Sequence, residues 1–344
     1  MDLRAVSAEV PGIAGLAVPI VTGLAATTLL GVTDAVMLAP LGAVPLAAVG
    51  LTGAAALIFF AAIYGMLSAL SVRIGVAYGA GQGRRIVGIL RAGLVLGLGV
   101  GLIGALLMGL TFFALPWLGQ PPEVLAALPA YWTCMCLLLI PFSVLTVFKA
   151  SFEAVGRPWL GTLFAFVAVV LNVPLNYALI WGIGPFPALG LTGAGVASLA
   201  AEVLALGVAW AYWANARSMR RLRLRKPLSL AEVGATAREG FPLGALYVAE
   251  TGAMAAVVAM VGTFGTVALA ANQVATSVSG LLYMLPLGVA GAVSIRVAQA
   301  QRGGEYGRPA PDCLGRPGTG YSLVMCGGGL VHVCWPPDRR ADHR

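Results

Sequence analysis

Three acids interrupt long apolar runs of the chain: Asp34, Glu202 and Glu250. A charge at mid-bilayer costs roughly 2.5–3.5 kcal/mol on insertion scales, so an acid kept there reads first as functional. Withdrawal from water favours the neutral form of a carboxyl. A carboxyl that is protonated in one helix arrangement and ionised in another couples proton flow to motion. Ionised, it also holds Na⁺ or an organic cation. The plainer alternative is an interhelical hydrogen bond, about 0.6 kcal/mol on average. Pro19 and Pro242 also stand inside apolar runs. Proline removes a backbone hydrogen bond and kinks a helix, and carbonyls freed near the kink can line a cavity. Both are candidate hinges, with a static kink as the alternative.

Other chemistries find no support. Gly99-x-Gly101-x-x-Gly104 is a formal dinucleotide fingerprint, but it lies within an apolar run with no strand before it and so fails its context. Gly93, Gly97, Gly101, Ala105 and Gly109 instead make a small-residue stripe suited to close helix packing. Cys134 and Cys136 stand two apart, and such positions do not face each other on a helix. Cys326, His332 and Cys334 fall in a terminal stretch with no other sign of a metal site. There is no HExxH, GxSxG or Walker A motif. No catalytic residue, metal site or cofactor is expected, and an enzyme is not.

These acids need helices to hold them. Of 344 residues, 59% are hydrophobic and 10% charged, against about 25% charged in soluble domains. That excludes a water-soluble enzyme, a disordered protein and a disulfide scaffold, and leaves a polytopic α-helical membrane protein. A span needs ~20 mainly apolar residues. Eight candidates follow: Pro11–Leu38, Leu46–Val72, Val87–Leu115, Val124–Phe148, Trp159–Trp181, Leu189–Trp213, Phe241–Val261 and Val267–Ile295. Lys and Arg fall before the first span and after the second, fourth, sixth and eighth, and are missing from the other four loops. The positive-inside rule then puts the N-terminus in the cytoplasm. The run Ser218–Lys226 reads as a cytoplasmic inter-lobe loop touching anionic head groups rather than as a nucleic-acid site.

A shift of 223 residues lays Arg73 on Arg296, Pro19 on Pro242, Gly65 on Gly288 and Arg85 on Arg308 without a gap. Six spans fill one period, so both copies point the same way, as in parallel-repeat transporters. The expected organisation is a six-helix lobe over residues 1–213, an inter-lobe loop over 214–240, two helices of a second lobe over 241–308, and an aberrant, disordered tail over 309–344. About four helices of the second lobe are missing on this reading. A frameshift or truncated reading frame after Arg308 explains that; a native short tail is the alternative.

Gly31–Leu51 (GVTDAVMLAPLGAVPLAAVGL), Gly119–Trp132, Phe148–Pro158 (FKASFEAVGRP) and Asn172–Ser198 (NVPLNYALIWGIGPFPALGLTGAGVAS) resemble the multidrug and toxic compound extrusion family. Glu239–Ala275 resembles the start of that family's second lobe. The form of these segments is closer to the NorM-type bacterial branch. The resemblance implies two lobes that face outward and inward in turn, exporting cationic or amphipathic drugs against entering H⁺ or Na⁺. The expected location is a bacterial cell membrane, with small organic cations and the lipid bilayer as partners, no nucleic acid, and a monomer as the expected unit. It assigns Asp34 to the family's first-span aspartate, Glu250 to its seventh-span glutamate, and Asn172 with Asn176 to the polar pair beside that aspartate. Asn176 stands where some relatives carry Asp, which weakens a pure proton relay. Glu202 has no counterpart. The alternatives are a non-transporting remnant and a lipid-linked oligosaccharide flippase of the same superfamily, the latter disfavoured by the scarcity of cations in the spans.

Overall fold

In hydrocarbon every backbone N–H and C=O must be satisfied within its own segment, so long apolar runs fold as helices. The computed structural model describes residues 3–118, 122–183, 186–215, 229–262, 266–300, 321–326 and 329–334. Eight long helices follow one another: α1 (Leu3–Leu38), α2 (Ala43–Gly79), α3 (Gly83–Phe112), α4 (Pro122–Ala154), α5 (Pro158–Trp181), α6 (Leu191–Asn215), α7 (Leu230–Gly262) and α8 (Thr266–Ala300). Six described segments, on α2 to α6 and α8, are long and apolar enough to cross a membrane, and α1 adds the shorter apolar stretch Ala14–Ala26. The fold is an all-α membrane bundle, as the sequence predicts.

Tight connections force neighbouring helices to run antiparallel. α4 stops at Gly156, which adopts φ 76°, a conformation that costs glycine little. Pro158 then opens α5 at its first turn, where a missing N–H costs nothing. The same end of the bundle collects Arg73, Arg84, Arg85, Lys149 and Arg157, and is called the basic end below. The segment Ser218–Lys226, with its cluster of arginines, lies outside the described residues, as do Arg302 and Arg308.

Helices α3 and α4 pack through the glycine stripe. A methyl at Gly93 would stand 2.8 Å from Leu70 Cδ1, and one at Gly97 2.8 Å from Val147 Cγ2. At Gly101 it would overlap the Ser143 hydroxyl. Gly109, expected in the same stripe, meets nothing within 4 Å among the described residues, although α4 still touches α3 at that level, where the Trp132 ring N–H donates to the Met108 carbonyl at 3.0 Å. Around this seam Leu67, Leu70, Ile89, Leu128, Leu139 and Val147 form the main core.

Two boundaries differ from expectation. Helix α7 starts at Leu230, so Leu230–Gly240 is helix rather than inter-lobe loop. Ser229 explains the start: the Glu232 N–H faces the Ser229 hydroxyl at 3.4 Å and its carbonyl at 3.1 Å. In the tail, Tyr321–Cys326 and Gly329–Cys334 pair as an antiparallel hairpin, Tyr321 opposite Cys334. Those segments are strands, where disorder was expected; residues 301–320 and 335–344 lie outside the described residues.

The pair α7 and α8, where the expected second lobe begins, meets the first six helices as α1 against α8 and α2 against α7, and their described contacts gather toward the basic end. Leu16, Ala17 and Ile20 pack on Ala292 and Ile295. A methyl at Gly65 would lie 2.8 Å from the Leu243 carbonyl oxygen. One at Gly240 would overlap the Met66 backbone, and one at Gly75 would lie 3.1 Å from Ala298 Cβ. Towards the other end the surfaces part: Gly50 and Gly53 on α2 and Gly252 on α7 meet nothing within 4 Å among the described residues.

Candidate functional site

Asp34 lies one turn before the end of α1. Asn172 and Asn176 share one face of α5 at a spacing of four, and Ser198 comes from α6. All four are buried: Asp34 is 3% exposed, Ser198 1% and the two asparagines 0%. Asn176 Nδ2 donates to Asp34 Oδ1 at 2.5 Å, and the Ser198 hydroxyl donates to Asp34 Oδ2 at 2.8 Å. Asn172 Nδ2 donates to Ser198 Oγ at 3.0 Å, and Asn176 Nδ2 also reaches Asn172 Oδ1 at 2.9 Å. Tyr131 of α4 is buried within electrostatic reach of Asp34.

This network suits an ionised carboxylate, because both of its oxygens accept from neutral donors. No ion pair neutralises Asp34 among the described residues. Asn176 Oδ1 is buried without a hydrogen-bond partner, and such an atom costs about 1–3 kcal/mol unless something meets it. Two occupants would. A small cation finds the Asp34 oxygens, two amide oxygens and a hydroxyl, a set of hard oxygen donors. A proton on Asp34 needs an acceptor, and turning the Asn176 amide over supplies one.

The structure therefore brings together Asp34, Asn172 and Asn176, and adds Ser198, which sequence reading missed. Ser198 sits in the Gly/Ala-rich run Thr192–Ala201 and reads there as a packing residue. Glu250 is not part of this cluster. It lies on an exposed face of α7 and accepts a hydrogen bond from the Tyr283 hydroxyl of α8 at 2.8 Å. Glu202 is 8% exposed and stands one turn beyond Ser198 on α6. Its charged neighbour is Lys149 of α4, and it does not contact Asp34. Pro19 lies inside an unbroken α1, and its carbonyl accepts the Thr162 hydroxyl of α5 at 2.5 Å. Pro242 lies inside α7 beside the contact with α2. Cys134 packs near Gly195 and Cys136 is buried; both are free thiols.

A bundle of apolar spans that encloses a carboxylate with no counter-charge among the described residues is the build of a membrane transporter. The family model MatE matches residues 19–178 and 242–308, and the chain belongs to this family of multidrug and toxic compound extrusion proteins. It is 31% identical over 275 residues to the probable multidrug resistance protein NorM of Neisseria meningitidis serogroup B, covering 77% of this chain and 58% of that protein. It is 30% identical over 265 residues to its namesake in Deinococcus radiodurans, covering 74% and 58%. Among solved structures, the eukaryotic MATE transporter AtDTX14 superposes with a TM-score of 0.77 at 22% identity, over 85% of this chain and 65% of that one. The Vibrio cholerae MATE transporter VcmN in the bent form superposes with a TM-score of 0.72 at 20% identity, over 85% and 66%. The chain thus spans a little over half the length of these curated relatives.

Proposed function

We propose that this chain forms the first lobe and the opening helices of the second lobe of a secondary antiporter. It exports cationic or amphipathic drugs in exchange for entering H⁺ or Na⁺. The carrying observation is Asp34: a carboxylate enclosed by neutral donors, with an orphaned amide oxygen beside it and no counter-charge among the described residues. The site binds the coupling ion in one state of the cycle and gives it up in another. Asn172, Asn176 and Ser198 hold it in place, and Glu250 faces the drug path from the second lobe.

The basic end is the cytoplasmic side of a bacterial cell membrane, as the asymmetry of Lys and Arg favours. The N-terminus is then inside, and the lobes stand open to the outside. The likeness to probable multidrug resistance proteins supports drug export as the role. Full export belongs to a bundle with both lobes complete, and the working unit is a monomer. The test is accumulation of ethidium in an efflux-deficient bacterium expressing a complete two-lobe form of the transporter. Export of the dye that disappears in Asp34→Asn supports the reading; export unchanged in that variant contradicts it.

A further inference from the structure

Arg73 is a nearly buried charge at the lobe contact. Its side chain, 9% exposed, comes from α2 of the first lobe. Its Nη2 meets Glu232 Oε2 at 2.5 Å and its Nη1 meets Glu239 Oε1 at 2.8 Å. Both acids belong to α7 of the second lobe. They stand seven residues apart, two helical turns, so they share one face of α7 and take the guanidinium from two levels. A planar fork with fixed N–H directions suits such two-point capture, which an ammonium does not match.

The surroundings give this triad its meaning. On the side away from the basic end the interface is made of backbone and small residues: Gly65 against Leu243 and Gly244, and Gly240 against Met66. Smooth surfaces of that kind separate without breaking any specific bond. Beyond them Tyr64 and Tyr247 meet edge to face, ring centroids 5.8 Å apart, and then the lobes diverge. Arg73 thus makes the buried charge-assisted bonds that must break before the basic end can open, together with the neutral hydrogen bond that Gln299 Nε2 donates to the Ala154 carbonyl at 2.8 Å. The repeat supports a built feature over a chance surface pair. The same frame that lays Arg73 on Arg296 lays Ala231-Glu232-Val233 on Ala8-Glu9-Val10, so α8 and α1 carry the same two charge types at equivalent positions.

We propose that Arg73, held by Glu232 and Glu239, is the latch that keeps the lobes closed at the basic end, and so a positioning residue of the transport cycle. The inference rests on the antiporter reading, because a latch has meaning only in a molecule whose lobes separate.

The experiment reads access rather than transport. Tyr247→Cys is placed in the full chain with its native cysteines replaced by serine. A membrane-impermeant maleimide is added to inside-out vesicles. In the parent, labelling is slow. In Arg73→Gln, and separately in Glu232→Gln with Glu239→Gln, the rate is expected to rise by about tenfold or more as the open form gains population. Arg73→Lys should fall between. Reversed charges, Arg73→Glu with Glu232→Arg and Glu239→Arg, should return the rate toward the parent's, which a merely structural role for Arg73 would not do. Rates within about twofold of the parent in Arg73→Gln and in the double-glutamine variant, a change too small to mark a latch, would overturn the proposal. If Arg73→Gln fails to insert, the double-glutamine and charge-reversed variants decide it. Loss of ethidium export in Asp34→Asn alongside unchanged labelling sinks the latch and leaves the antiporter standing. Faster labelling in a chain that exports nothing does the reverse.

Discussion

Asp34 and Glu250 are both acids in apolar helices, yet the molecule treats them oppositely. Asp34 sits inside one lobe, with both oxygens bonded to donors from two other helices. Glu250 is exposed and keeps one phenol as partner. The repeat does not relate them. The frame that lays Arg73 on Arg296 puts Asp34 over Val257 and Glu250 over Thr27. In that frame the two carboxylates stand two turns apart, at positions that are not equivalent. The enclosed acid suits selective capture of a bare ion; the exposed one suits contact with a hydrated or bulky cation.

The most damaging change to this contrast is Asp34→Asn, which should remove ethidium export altogether and abolish ion binding by the first lobe. Asn176→Leu comes next. It leaves Asp34 Oδ1 without its donor, at a cost of about 1–3 kcal/mol, and should weaken Na⁺ binding by about tenfold in calorimetry. Gly101→Leu drives a side chain into Ser143 and the α4 backbone, and overpacking costs about 1–3 kcal/mol. It should lower the melting temperature while leaving ion affinity per folded molecule unchanged, which separates loss of packing from loss of the site. Ser198→Ala removes one hydroxyl donor, worth about 1 kcal/mol, and should weaken ion binding severalfold. Glu250→Gln should be smallest on this readout. An exposed acid with one partner should leave first-lobe ion affinity within about twofold, since exposed electrostatic contacts contribute about 0–1 kcal/mol.

The eight helices were legible because hydrocarbon leaves the backbone no other choice, and apolar runs mark that choice directly. Leu230–Gly240 escaped because Glu232, Arg238 and Glu239 make it polar, and hydropathy is blind to a helix outside the bilayer. Its signal was Ser229 three residues before Glu232, the spacing of a capping box. Asp34 was legible as a charge out of place, but its shell of Asn172, Asn176 and Ser198 comes from two other helices. The asparagines came from resemblance, and Ser198 looked like one more small residue. Arg73 pairs with acids 159 and 166 positions away, a separation that no local pattern encodes.

The central claim is that Asp34 changes between ionised and protonated or cation-bound forms inside the lobe. Infrared difference spectra of the purified chain in lipid nanodiscs, taken across a pH jump and on adding Na⁺, test it most directly. A carboxyl band that disappears on ionisation should be present in the parent and in Glu250→Gln, and missing in Asp34→Asn. The same band persisting in Asp34→Asn would contradict the account.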